Sequence, residues 1–183
     1  MKAALLMAHG FNDWNVMPEH SYRIYKKAME MGIPTQIYYH QDGHGGPPPL
    51  KMMNRWFTRY LFGIENKVEK DPNAWIVREN DTQQNPTPYK SYPNPGASLV
   101  SLSLQAGGQE KGGLSLKKNR IKTIEKLTDD YSYDGSTLAK AKNSKHRLLY
   151  LSPVLKQDIH LSGLSSLTIR VASSKKAANL SVW

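Results

Sequence analysis

Apolar positions change character along the chain. The N-terminal third carries continuous apolar runs, and the remainder carries short alternating ones. Lys2-Ala-Ala-Leu-Leu-Met-Ala-His-Gly10 is nearly all apolar and closes on a glycine, as a short strand covered on both faces does. Pro18 suits the first turn of a helix and Gly32 suits its end, and between them Tyr22, Tyr25, Ala28 and Met29 fall near helical spacing. Ile33 to Tyr39 predicts a second strand. Strand, helix and strand in so few residues predict a βαβ unit with a parallel pair. A Gly- and Pro-rich loop, His40 to Pro49, follows. Met53, Trp56, Phe57, Tyr60 and Leu61 then recur on one helical face stopped by Gly63, which predicts an amphipathic helix with its aromatic stripe in the core.

Beyond Gly63 the pattern shortens. Ala74 to Val77 predicts a strand, and Pro86, Pro88, Pro93 and Pro95 mark a loop-rich crossing. Leu99 to Leu104, Leu114-Ser-Leu116, Leu148 to Leu151, Ile159-His-Leu161 and Leu167 to Val171 alternate as short strands do, and Thr137 to Lys142 fits a helical turn. This pattern predicts α/β followed by all-β. Residues 1–70 would form an α/β part and residues 71–183 a β-sandwich or jelly roll, with the boundary in 64–80. Asn179-Leu-Ser-Val-Trp183 reads as a strand with nothing after it, an expectation of a truncated sandwich.

Composition narrows the function classes. The 183 residues are 39% apolar and 22% charged, enough for a folded chain with a core. The absence of cysteine excludes a disulfide scaffold, a thiol nucleophile and thiolate metal ligands. No apolar run reaches the roughly 18 to 20 residues of a membrane span, and the first apolar run is too short for a signal peptide, so the expectation is a soluble, intracellular protein without a membrane partner. The net charge of +10 is uneven: residues 1–80 hold ten Lys and Arg against eight Asp and Glu, and residues 81–183 hold fifteen against seven. The most basic stretch, Lys111 to Lys126, has no aromatic residue, so a solvated basic face is expected there rather than a nucleic-acid platform.

Candidate chemistry sits in the first two loops. Asp13 lies three residues past the strand-ending Gly10, and His44 lies in the Gly-rich loop after the next strand. Both fall at the carboxyl ends of adjacent parallel strands, where open α/β sheets place their sites. A carboxylate there can orient an imidazole and stabilise its protonated form, which lets the histidine act as general base toward a serine. The order Asp13 then His44 matches the last two members of the α/β-hydrolase order nucleophile, acid, histidine. The Gly-x-Ser-x-Gly elbow is missing. Gly96-Ala-Ser98-Leu-Val100 and Gly163-Leu-Ser-Ser166 lack the second glycine and lie downstream, so if this is a hydrolase its nucleophilic serine is expected upstream of Met1; the alternative is a structural loop aspartate with a capping histidine. His40 is a second candidate base, and His9 is expected to satisfy loop backbone. His20, His146 and His160 read as surface or packing residues. No spacing makes a convincing metal site, and no Gly-rich loop has phosphate-binding spacing, so neither a metal nor a cofactor is expected.

His9-Gly-Phe-Asn-Asp-Trp-Asn-Val16 resembles the loop carrying the catalytic aspartate in Xaa-Pro dipeptidyl-peptidases of lactic-acid bacteria, and His40-Gln-Asp-Gly-His44 resembles that family's catalytic-histidine loop. Arg55 to Asn66, followed by Ala74-Trp-Ile-Val77, is similar to the helix and strand leading out of the hydrolase domain. Leu149-Tyr-Leu-Ser-Pro153, Asp158, Leu161-Ser-Gly163 and Leu180-Ser-Val182 resemble the terminal β-sandwich. The likeness runs in order over nearly the whole chain, loosely over 80–140. It implies that residues 1–70 are the C-terminal part of the α/β-hydrolase domain of a serine exopeptidase that releases an N-terminal dipeptide with proline second, cytoplasmic and homodimeric at full length. It also implies Asp13 as triad acid, His44 as base, and Asn15 and Val16 beside the proline pocket. The serine and the oxyanion-hole donors have no counterpart, which implies a chain inactive alone. Cocaine-esterase-like and α-amino-acid ester hydrolases share the layout and are the alternative. A third reading is a non-catalytic binding or assembly module carried by the basic sandwich.

Overall fold

A computed structural model describes residues 3–118 and 123–182. Lys2 of the first predicted strand, Asn119 to Lys122 of the basic stretch and Trp183 of the last predicted strand lie outside the described residues. The chain divides into two compact units. The first runs as far as Ala97 and takes in Leu161–Ser166, and the second takes Ser98–His160 and resumes at Leu167.

The first unit opens with strand β1 (Leu5–Gly10), helix α1 (Pro18–Glu30), strand β2 (Thr35–His40) and helix α2 (Leu50–Tyr60). A single turn of 3-10 helix (Val68–Lys70), strand β3 (Ala74–Ile76) and strand β4 (Thr87–Tyr89) complete it. The sheet order is β1-β2-β3-β4, with the first two pairings parallel and the last antiparallel. The predicted βαβ unit is therefore present. Pro18 sits at the start of α1, where its missing N–H costs nothing. At the other end Gly32 takes φ of +67°, its N–H donates to Met29 O and the Ile33 N–H donates to Ala28 O. That paired closure satisfies the last helical carbonyls and needs a left-handed residue, which glycine supplies without a Cβ clash.

Strand β2 is buried along its whole length because strands pair with both of its edges. Ile37 and Tyr39 point into a core with Tyr25 of α1, Ala74, Ile76 and Tyr92. The Tyr39 hydroxyl donates to Pro18 O at 3.0 Å, which satisfies its polar tip inside that core and ties β2 to the first turn of α1. The aromatic stripe of α2 packs less deeply than its spacing predicts. Trp56 is buried, but Phe57 and Leu61 are exposed at 45% and 72%. The stripe is wider than the surface available to cover it. What fixes α2 instead is Arg55, whose Nε and Nη2 both reach the Asp71 carboxylate at 3.0 Å.

The second unit departs from the predicted sandwich. Its sheet has three short strands, β5 (Ser103–Leu104), β6 (Gly112–Ser115) and β7 (Tyr150–Leu151), in the order β5-β6-β7. A short helix, α3 (Gly135–Lys140), stands where a helical turn was expected, capped by Asp134 accepting from the Thr137 N–H. Ile159-His-Leu161, Leu167 to Val171 and the described part of Asn179–Trp183 form no strand. Alternation supplies a face but no hydrogen-bonded neighbour, and Ile159, Leu161, Leu167, Ile169, Val171, Leu180 and Val182 are all exposed. No apolar side chain among the described residues of this unit is buried.

Its centre is polar. Arg147 is buried and donates to the carbonyls of Leu138, Gly108, Gln109, Glu110 and Ala141 at 2.7–3.3 Å, tying α3 to the loop before β6. Glu125 accepts from the Gly107 and Gly108 N–H groups and from the Tyr150 hydroxyl. Arg147→Met removes the donor of Glu110 O and Ala141 O and the second donor of Leu138 O, Gly108 O and Gln109 O, and is expected to cost about 2–4 kcal/mol. Urea unfolding followed by tyrosine fluorescence reads this, and Arg147→Lys, with fewer donors on a narrower head, recovers part of it. An unchanged midpoint in Arg147→Met would mean that water serves those carbonyls equally well.

Candidate active site

Gly10 and His40 are the paired last residues of the parallel strands β1 and β2, so the loops that follow leave the sheet side by side. The Phe11 N–H donates to His40 O at 2.8 Å and the Asn12 N–H donates to Asp42 O at 3.2 Å. The approach is close enough that a Cβ on Gly10 would stand 2.1 Å from Asp42 O and 2.3 Å from Gly43 O. Only glycine lets the two backbones meet there.

Asp13 lies on the first loop, 6% exposed. Its Oδ1 accepts the N–H groups of Asn15 at 2.9 Å and Val16 at 3.0 Å, the local turn that aspartate readily makes with its own backbone. Its Oδ2 lies 2.9 Å from Nδ1 of His44. The same Oδ2 is 3.0 Å from Nε2 of His9, the last side chain of β1 before Gly10. Burial by itself pushes the Asp13 carboxyl upward. The Val16 N–H, the His44 hydrogen bond, the Asn15 N–H and the charge of His44 outweigh it and hold the carboxyl down at about 2. An ionised Oδ2 only accepts, so His44 must carry its proton on Nδ1, and in the neutral ring Nε2 then holds the lone pair. The His44 side chain is 61% exposed, so the imidazole is oriented at one nitrogen and open to solvent over most of its surface.

The structure thus brings Asp13 to His44. It does not bring His40 to Asp13. His40 is fully buried, and its Nδ1 accepts the Asp42 N–H at 3.2 Å. Asn15 takes part through its backbone N–H, and its side chain is exposed. Val16, Trp14 and Met17, exposed at 40%, 66% and 60%, give the Asp13 loop an apolar rim. His9 satisfies loop backbone as expected, through Nε2 to Val16 O at 2.8 Å, but its contact with Asp13 was not foreseen. His20 is exposed, and His146 donates through Nδ1 to Thr128 O in the second unit. Among the described residues no serine hydroxyl hydrogen-bonds to His44, no cluster of three His, Asp or Glu side chains could hold a metal, and no helix is long and apolar enough to cross a membrane.

Residues 66–183 match the family model described as the X-Pro dipeptidyl-peptidase C-terminal non-catalytic domain. A Rhodopirellula baltica protein named "Putative Xaa-Pro dipeptidyl-peptidase" is 50% identical over 183 residues, all of this chain and 29% of its own length. The Xaa-Pro dipeptidyl-peptidase of Lacticaseibacillus rhamnosus is 27% identical over 191 residues, covering 100% of this chain and 24% of that protein. The chain spans 29% and 24% of the length of these relatives. Among solved structures, a CocE/NonD family hydrolase from Staphylococcus aureus superposes on 63% of this chain and 21% of its own, with a TM-score of 0.50 at 20% identity, a likeness of fold.

The depressed Asp13 carboxyl has a consequence for stability. Its folded value lies below its ordinary value of 3.8, so its contribution is fully present above that value and is lost as pH falls toward about 2. In Asp13→Asn that contribution is absent at every pH. The Tm gap between the native chain and Asp13→Asn is therefore expected to be widest near neutrality and to shrink between about pH 4 and pH 2. Thermal melts across that range read it. A gap that stays constant would show that Asp13 is not held ionised by Asn15, Val16 and His44.

Proposed function

This chain belongs to the X-Pro dipeptidyl-peptidase family through the domain that begins at residue 66, and on that premise we propose that Asp13 and His44 are the acid and base of a Ser-Asp-His triad. The enzyme they serve is a serine exopeptidase that releases N-terminal dipeptides with proline second. The observation that carries this reading is the 2.9 Å contact between Asp13 Oδ2 and Nδ1 of a largely exposed His44. In that arrangement Nε2 takes the serine proton as the hydroxyl attacks the peptide carbonyl, and returns it to the departing amine. Asp13 fixes the tautomer and stabilises the imidazolium between those two steps. It remains ionised throughout, in keeping with a carboxyl held near 2.

Residues 1–70 are read as the C-terminal part of an α/β-hydrolase domain and 71–183 as its β-rich, jelly-roll-related companion. The parallel β1-β2-β3 pairing, the fold likeness to a CocE/NonD hydrolase and the family match from residue 66 support this. With no Gly-x-Ser-x-Gly in the chain, the nucleophile and the oxyanion-hole donors are assigned to residues outside these 183. Asn15 and Val16 border the proline pocket, consistent with their place on the rim of the Asp13 loop. The resemblance to lactic-acid-bacterial enzymes adds a cytoplasmic homodimer to the reading. The fold likeness makes ester hydrolysis the competing outcome.

A graft tests this. The chain replaces the matching segment of the Rhodopirellula baltica relative, and hydrolysis of Ala-Pro p-nitroanilide is measured against phenyl esters. The expected result is dipeptide release. His44→Ala and Asp13→Asn each lower kcat by roughly 10³- to 10⁶-fold. Val16→Trp fills the proline pocket and lowers kcat/KM by about 10- to 200-fold. Retention of more than a tenth of the activity in His44→Ala would remove His44 as base, and a preference for esters would move the protein to the cocaine-esterase-like reading.

A further inference from the structure

His9 is the one polar residue of β1, and it faces functional groups on three sides. Its Nε2 lies 2.8 Å from Val16 O and 3.0 Å from Asp13 Oδ2. Both are acceptors, so Nε2 must carry a proton, and its N–H donates to Val16 O while standing beside the Asp13 carboxylate. Its Nδ1 lies 2.6 Å from Ser21 Oγ on α1. The serine hydroxyl can donate to Nδ1, which leaves the ring neutral with its single N–H aimed at the loop. Tyr39 of β2 stands with its ring centre 6.5 Å away, its hydroxyl engaged at Pro18 O, and His44 lies on the far side of the shared Asp13 oxygen. The His9 side chain is only 8% exposed, so water does not stand in for these contacts.

The bonds around the loop close a circuit. Asp13 Oδ1 accepts the Val16 N–H, Val16 O accepts from His9, and His9 touches Asp13 Oδ2. Without His9 the Val16 carbonyl loses its donor and the carboxylate loses a close imidazole N–H neighbour. The two residues so held are the proposed triad acid and the proposed proline-pocket residue. We propose that His9, braced by Ser21, is a positioning residue that fixes the acid and the specificity residue together, through its N–H bond to Val16 O and its close contact with Asp13 Oδ2. The proposal rests on the triad reading for its functional meaning, and on geometry alone for the hydrogen bonds.

The test uses the 183-residue chain labelled with ¹³C at aspartate, in which the Asp13 Cγ resonance is followed against pH. His9→Phe keeps a flat ring and removes the N–H, and the Asp13 midpoint is expected to rise by about half a pH unit or more. His9→Gln places an amide N–H near the position of Nε2 and is expected to keep the native midpoint. A folded His9→Phe with an unchanged midpoint would overturn the proposal. Should His9→Phe fail to fold, His9→Asn replaces it, because its amide is too short to reach Val16 O. Equal midpoints in His9→Asn and His9→Gln would then overturn it. In the grafted enzyme, His9→Phe or His9→Asn is expected to lower kcat on Ala-Pro p-nitroanilide at least tenfold, with recovery in His9→Gln. Shifted titration with unchanged kcat would overturn the positioning role. Failure of the triad reading shows instead as an active His44→Ala, a result that has no bearing on the Asp13 midpoints of the His9 variants.

Discussion

Everything at the candidate site depends on how closely two loop backbones approach beside Gly10. Asp42 O and Gly43 O fill the space where any other residue would carry a Cβ. That contact lets the chain after β1 lie against the chain after β2, stitched by the N–H groups of Phe11 and Asn12. Parallel pairing sets up the approach, because it brings both strand ends to the same edge of the sheet and makes Gly10 the partner of His40. Asp13 and His44, distant in sequence, then meet at 2.9 Å.

The electrostatics follow from that geometry. A carboxylate with little exposure would ordinarily resist ionisation, yet Asp13 has two backbone donors on one oxygen and two imidazole nitrogens near the other. Its charge is held by groups that the turn and the strand end supply locally. His44 gains an oriented ring while remaining open to solvent, the asymmetry a general base requires. His40, four residues earlier, shows the opposite outcome: burial under the loop removes it from the chemistry. The second unit is organised by a different rule. Its buried centre is the Arg147 guanidinium in a cage of carbonyls, and the Glu125 carboxylate gathers the Gly107 and Gly108 N–H groups and the Tyr150 hydroxyl.

The parts of the fold legible in the sequence are those set by local pattern. Pro18 and Gly32 bracket α1, the apolar runs mark β1 and β2, and the placement of Asp13 and His44 after those strands follows once the pair is parallel. Depth of packing was less legible. The stripe on α2 has the right spacing, but only Trp56 is buried, because spacing says nothing of how much surface arrives to cover it. Alternation around Ile159 and Leu167 misled for a related reason, since a strand exists only with a partner that lies elsewhere in the chain. The role of Arg147 had no signal among the many cations around it. His9 did have one: a lone polar side chain ending an apolar strand, four residues before the candidate acid.

The most direct test of the account is the ¹⁵N spectrum of the His44 imidazole near neutral pH, in the native chain and in Gly10→Ala. The loop contact at Gly10 predicts that native His44 carries its neutral-state proton on Nδ1, donated to Asp13, and that Gly10→Ala parts the loops and returns the ring to a mixture of tautomers. A native His44 protonated chiefly on Nε2, or a Gly10→Ala spectrum identical to the native one, would contradict it.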